Sequence, residues 1–236
     1  MAKKQNKKSS LNILEKTKRS NQFDYTEIFR SIRTNIEFSN VDNPIKSVAI
    51  TSTQTGEAKT TTSMNLAFIF AAKYERVLLI DCDLRKMMLH RYLKLSNKTG
   101  LTNALIDFGK TKRINAEFFQ RVSDESFRGS LHVLTAGMHV PNPSEILSSE
   151  TFKEYIKLLE QYYDFIIVDC APVGAISDAI PVGNVVDGTV FVVSAKDTKR
   201  KDAAGCVELL KRSNVNVIGS VLTKADAGSK SYYYYY

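Results

Sequence analysis

The chain has 236 residues, 43% hydrophobic and 25% charged, with three cysteines and a formal net charge of +8. These values exclude a disordered chain and a disulfide-stapled secreted module, and they suit one α/β domain with a large buried core. The charge is uneven: residues 1–20 hold Lys3, Lys4, Lys7, Lys8, Lys16, Lys18 and Arg19 against Glu15, so the rest is close to neutral.

Residues 1–22 are polar, basic and without periodicity, which reads as a flexible arm. Such an arm is attracted to anionic lipid headgroups, nucleic acid or an acidic partner, or serves only as a solvated extension. No apolar run has the length to span a bilayer, and the N-terminus lacks the apolar core of a signal peptide. Cys82, Cys170 and Cys206 form no CxxC pair, in keeping with a reducing cytosol.

From Tyr25 to Phe38, Ile28, Ile32 and Ile36 recur every four residues beside Phe29, predicting an amphipathic helix that ends before Pro44. Alternation follows. Strands are predicted over 46–52, 76–83, 130–137, 164–172, 188–195 and 215–224, with helices over 60–74, 101–108, 149–163, 177–185 and 199–213. Strands of nearly continuous Val, Ile and Leu, separated by helices, argue a mostly parallel sheet flanked by helices on both faces. One domain is expected over 23–226, followed by a flexible tail over 227–236 that holds Tyr232, Tyr233, Tyr234, Tyr235 and Tyr236.

Between the first strand and the helix after it lies "TSTQTGEAKTTTS", the position at which a loop and a helix N-terminus surround a phosphate. In the pattern G-x-x-x-x-G-K-[ST], Lys59 would reach the β- and γ-phosphates and the Thr60 hydroxyl would ligate Mg²⁺. Thr53 and Ala58 stand where that pattern has glycine, and only Gly56 remains. A Cβ at 58, if the backbone turns left-handed there, costs about 1–2 kcal/mol.

Two apolar strands end in carboxylates. "VLLIDCDLR" carries Asp81 and Asp83 with Arg85 beyond, and "FIIVDCAP" carries Asp169. Carboxylates at the carboxyl edge of parallel strands lie where ligands bind in open α/β sheets, and the phosphate loop opens at the same edge. Thr60, with Asp83 or Asp169, would satisfy Mg²⁺, and the third carboxylate is left to orient or deprotonate a nucleophile. Cys82 and Cys170 are read as small residues fitting a strand end. The stretch "VLTKAD" resembles the base-reading loop of other nucleotide-binding proteins, with Thr223 where asparagine is usual.

With the loop, the two carboxylate strands and the tyrosine run in this order, the chain resembles the bacterial tyrosine kinases of capsular and exopolysaccharide synthesis. It is most similar to the Gram-positive type, whose kinase is a separate chain. The resemblance implies a single-domain P-loop NTPase fold, ATP and Mg²⁺ as cofactors, and nucleotide contacts from Thr55, Gly56, Glu57, Ala58, Lys59, Thr60, Thr61 and Arg85. It implies catalytic roles for Asp81, Lys59 and Asp83, with Asp81 as base or orienter, and Mg²⁺ ligation by Thr60, Asp83 and Asp169. The phosphoacceptors would be Tyr232 to Tyr236. Glu27, Arg30 and Arg33 match the E-x-x-R-x-x-R of the family's oligomerisation helix, here 25–38.

The resemblance further implies a ring-shaped octamer, tail phosphorylation between subunits, regulation of polysaccharide synthesis and export, and a cognate tyrosine phosphatase. It also implies a transmembrane adaptor holding the chain at the inner face of the membrane, with no specific nucleic acid. Two other readings stand beside it. A partition- or division-site ATPase usually carries an extra lysine early in the loop, where this chain has Gln54. A non-catalytic scaffold would follow if Thr53, Thr55 and Ala58 have crippled the site.

Overall fold

The computed structural model describes residues 25–225. The basic arm and the tyrosine run lie outside the described residues. Seven strands form one sheet: β1 (Ser47–Ser52), β2 (Arg76–Cys82), β3 (Gln120–Val122), β4 (Ser130–Leu134), β5 (Phe165–Cys170), β6 (Gly188–Ser194) and β7 (Val217–Thr223). Their order is β3-β4-β2-β5-β1-β6-β7, parallel throughout except for the antiparallel β3–β4 pair.

Every residue of β1 and β5 is buried, because helices cover both faces of the sheet. On one face, Val48, Ile50, Val77, Leu79, Phe165 and Ile167 pack with Leu66, Ala67 and Phe70 of α2 (Lys59–Ala71). Helix α1 (Tyr25–Glu37) lies over α2, with Ile36 buried and Phe29 and Ile32 packed against the same cluster. This second cover explains why α2 is buried on nearly every side and shows no polar stripe.

The other face packs Leu78, Ile80, Ile166 and Val168 against Phe108 of α4 (Leu101–Thr111), and against Phe152, Tyr155 and Ile156 of α6 (Glu150–Leu159). Each fully buried Leu, Ile or Phe contributes about 1.5–3 kcal/mol relative to exposure.

Two further short helices fall between these elements, α3 (Leu89–Leu93) and α5 (Pro143–Leu147), and two more follow, α7 (Ala179–Gly183) and α8 (Arg200–Arg212). Sequence patterning predicts neither α3 nor β3. Five and three residues are too few to complete a recognisable period. The stretch entering α6 is a separate helix, because Ser149 accepts the Phe152 N–H and restarts the chain as an N-cap. Helix α2 also ends sooner than its apolar pattern suggests, at Ala71.

Candidate active site

Six residues separate β1 from α2, and so tight a turn needs left-handed backbone at two of them. Gly56 takes φ of 87° and Ala58 takes φ of 65°. Glycine accepts this freely, whereas Ala58 carries the Cβ penalty expected above. The Ala58 carbonyl accepts from the Thr62 N–H at 2.9 Å and the Thr62 hydroxyl at 3.0 Å, starting the helix without a side-chain cap. Among the described residues, no hydrogen bond engages the backbone N–H groups from Thr55 to Thr61. They stand at the positive end of a 13-residue helix, an arrangement that favours an anion.

The parallel strands bring the acidic residues to the same edge. Asp81 and Asp169 are register partners on β2 and β5, as are Cys82 and Cys170 one position on. Lys59 Nζ donates to Asp169 Oδ1 at 2.9 Å and lies 3.7 Å from Asp83 Oδ2. The Thr60 hydroxyl donates to Asp169 Oδ2 at 2.7 Å, and Ser63 Oγ lies 2.9 Å from Oδ1. The motif does not include Ser63, although its signal is there: it sits one helical turn after Lys59 and shares its face.

Burial works against the Lys59 charge, but Asp169 and Asp83 outweigh it and hold the ammonium above the ordinary lysine range. Asp81 is completely enclosed, its oxygens accepting the Asp83 N–H at 3.1 Å and the Leu89 N–H at 3.3 Å. Burial, then the neighbouring Asp169 charge, push its carboxyl well above the usual range, and Lys59 opposes them. Such a carboxyl is suited to holding a proton.

The donor set fits a hard cation: Thr60, Asp83 and Asp169 offer oxygen alone at one end of the loop. No cluster of three or more His, Cys, Asp or Glu that could cage a metal occurs among the described residues. Mg²⁺ keeps several waters and takes one or two protein ligands beside phosphate.

Three sets of residues singled out in the sequence have partners within the subunit. Arg85 Nε donates to Asp178 Oδ2 at 2.7 Å, and one terminal nitrogen lies 3.3 Å from both Asp178 Oδ1 and Ser144 Oγ. Asp178 is buried just before α7, and a buried carboxylate needs a paired cation. Thr223 does not present its hydroxyl for base reading, since it donates toward the Glu57 carbonyl at 2.8 Å, with the Val193 carbonyl 3.2 Å away.

The third set is the Glu27, Arg30 and Arg33 trio, whose contacts within the subunit divide. Glu27 and Arg30 pair with each other on the exposed face of α1, whereas Arg33 donates to the Ile69 carbonyl at 3.1 Å and lies 3.7 Å from Glu37. Arg33 therefore binds α1 to α2 within the subunit. Cys82 and Cys170 are free and buried, and burial pushes both thiols up, in agreement with their reading as packing residues.

Comparison with known proteins adds a family likeness. A family model described as an AAA domain matches residues 45–180. The chain is 41% identical over 211 residues to the tyrosine-protein kinase YwqD of Bacillus subtilis (strain 168), covering 89% of this chain and 86% of that one. It is 36% identical over 236 residues to the putative tyrosine-protein kinase CapB of Staphylococcus aureus, covering 100% and 98%. Among solved structures, the chimerical protein CapA2B2 superposes with a TM-score of 0.76 at 31% identity, over 91% of this chain and 90% of that chain.

Proposed function

The chain belongs to the bacterial tyrosine-protein kinases of the Gram-positive kind, and from that premise we propose that it transfers the γ-phosphoryl group of ATP to its own tyrosine cluster. The observation that carries this reading is the convergence at one sheet edge of seven unpaired backbone N–H groups, Lys59, Thr60 and three carboxylates.

In this reading the loop N–H groups and Lys59 hold the triphosphate, replacing its hydration with fixed dipoles. Thr60, with Asp169 and Asp83, would hold Mg²⁺, which supplies neutralisation of the charge on the phosphate oxygens. A tyrosine hydroxyl oxygen forms the new bond to the γ-phosphorus while the bridging bond to ADP breaks. The hydroxyl proton passes to Asp81. Its raised pKa makes it a stronger base than an ordinary aspartate once it is ionised.

The phosphoacceptors are Tyr232 to Tyr236, offered in trans by the adjacent subunit of a ring oligomer. Glu27 and Arg30 are available at the subunit boundary, since both side chains are more than half exposed. A transmembrane adaptor holds the ring at the membrane, where phosphorylation regulates capsular or exopolysaccharide synthesis.

The test is phosphate on the tail. The chain, alone and with an adaptor cytosolic segment, is incubated with Mg-ATP and its tail peptides are read by mass spectrometry. Labelling of Tyr232 to Tyr236 that is absent from Lys59→Met and Asp81→Ala supports the kinase. ATP hydrolysis without tyrosine labelling would replace it with a partition-type ATPase, and neither activity would leave a scaffold.

A further inference from the structure

Glu57 is an anomaly in a loop built to receive an anion. Its side chain is a carboxylate, yet it is only 1% exposed, because it turns away from the free N–H groups and into the protein. There it collects three donors from two segments. The Gln54 N–H donates to Oε2 at 2.8 Å, the Ser194 N–H donates to Oε1 at 3.2 Å, and the Thr198 hydroxyl donates to Oε1. Gln54 Nε2 adds a parallel tie to the Asp197 carbonyl at 3.0 Å, and the Thr223 hydroxyl grips the Glu57 carbonyl.

Gln54 lies in the loop itself, Ser194 ends β6, Thr198 lies in the turn beyond it, and Thr223 ends β7. The loop is thus fastened at its fifth residue to the carboxyl ends of two strands. Ala58, the strained residue, comes immediately after this fastening point.

We infer that Glu57 is a positioning residue for the nucleotide: its carboxylate, with Thr198 and Thr223, latches the loop so that Ala58 stays left-handed and the N–H groups remain aimed at phosphate. Two physical facts support it. A buried carboxylate with three donors is held far more firmly than a neutral side chain, because charge-assisted hydrogen bonds are about twice as strong as neutral ones. A left-handed alanine persists only where its surroundings over-determine it. The carboxylate also supplies what the missing glycine does not. Glycine would adopt the conformation at no cost, whereas alanine has to be held in it.

This inference rests on the nucleotide-site reading above, and its test separates the two. Glu57→Ala, Glu57→Gln, Thr198→Val and the Glu57→Ala/Thr198→Val double variant are made in the full chain. Mg-ATP affinity is measured by titration calorimetry, KM and kcat by tail labelling, and amide exchange at Gln54 and Ser194 without nucleotide. The expected result for Glu57→Ala is at least a tenfold loss of affinity and a matching rise in KM, with kcat within twofold and faster exchange at both amides. Thr198→Val should lose about threefold, Glu57→Gln should recover part of the loss, and the double variant should match Glu57→Ala alone.

Glu57 acting merely as structural packing would move melting temperature but not the KM-to-kcat split, and affinity corrected for folded fraction would stay at wild type. That outcome overturns the proposal, as does unchanged exchange at Gln54 and Ser194. Should Glu57→Ala fail to fold, Thr198→Val removes a single donor and decides the matter on the same criteria. A wild-type chain that binds no Mg-ATP removes the nucleotide-site reading and, with it, any positioning role for Glu57. Unchanged affinity in the variants of a chain that does bind removes the latch alone.

Discussion

Replacing Lys59 with methionine keeps the length of the side chain and deletes the only lysine or arginine in ion-pair contact with Asp169 and Asp83 among the described residues. At the observed 2.9 Å and 3.7 Å, an effective dielectric near 20 gives gross attractions of about 6 and about 4 kcal/mol. Each buried ion also carries a desolvation penalty of about several kcal/mol, so the net cost of removing one partner is expected at about 3–5 kcal/mol. For a chain of this size, that lowers Tm by about 6–20 °C.

The pH dependence gives the sharper signature. Lys59 has a folded-state pKa raised above its ordinary value. Its contribution in the wild type is therefore complete below the unfolded lysine value and disappears only as pH climbs through the raised one. Between pH 5.5 and 8.5 it is constant.

In Lys59→Met, Asp81 loses the one influence of a neighbouring charge that draws its pKa down. An acid with a raised folded pKa binds its proton more tightly when folded, so it costs stability as pH rises toward that value, by up to about 1.4 kcal/mol per pH unit. The deficit of the variant should therefore widen as pH rises through the range in which Asp81 ionises, and narrow below it. Urea denaturation across that range measures it. A deficit under about 0.5 kcal/mol, or one that is flat with pH, would refute the idea that Lys59 is the counter-ion of this cluster.

Four other outcomes are expected. Ala58→Gly relieves the left-handed Cβ but loosens the unfolded chain, so it should gain no more than about 1 kcal/mol by thermal unfolding, whereas Ala58→Val should lose stability. Gly174→Ala places a Cβ 2.3 Å from the Thr53 carbonyl at the start of the loop, and should cost about 1–3 kcal/mol together with measurable Mg-ATP affinity. The single-turnover rate of tail labelling should rise with pH until Asp81 is fully ionised, and a rate that is flat with pH would remove Asp81 as the base. Glu27→Ala/Arg30→Ala should shrink the oligomer in gel filtration without changing monomer Tm, whereas Arg33→Ala should also cost about 1 kcal/mol by releasing the Ile69 carbonyl.

Much of the site was legible because buried parallel strands are written in one long apolar run. "VLLID" and "FIIVD" announce both their burial and the edge at which their aspartates emerge, and Lys59 follows the turn at that same edge. What sequence could not supply was direction. Arg85 adjoins the acidic motif in the chain but turns to Asp178, which is 93 residues away and buried. Arg33 matches a surface pattern, yet its guanidinium faces a carbonyl on α2. Glu57 counts as loop backbone in any motif, and only the folded chain shows its carboxylate binding strands β6 and β7 to the loop. Each of these side chains has a partner far off in sequence, and no local period records it.

The ammonium of Lys59 ties folding to ligand binding more closely than either needs alone. The same three protons that neutralise Asp169 and Asp83 are the ones offered to a triphosphate, so the protein's interior and its ligand compete for one cation. Substitutions that weaken the hold of the carboxylates would make Lys59 easier to recruit and the fold easier to melt, while those that tighten it would do the reverse. Where a change around Asp83 and Asp169 leaves the oxygens that would hold Mg²⁺ in place, affinity and thermal resistance should therefore vary in opposition.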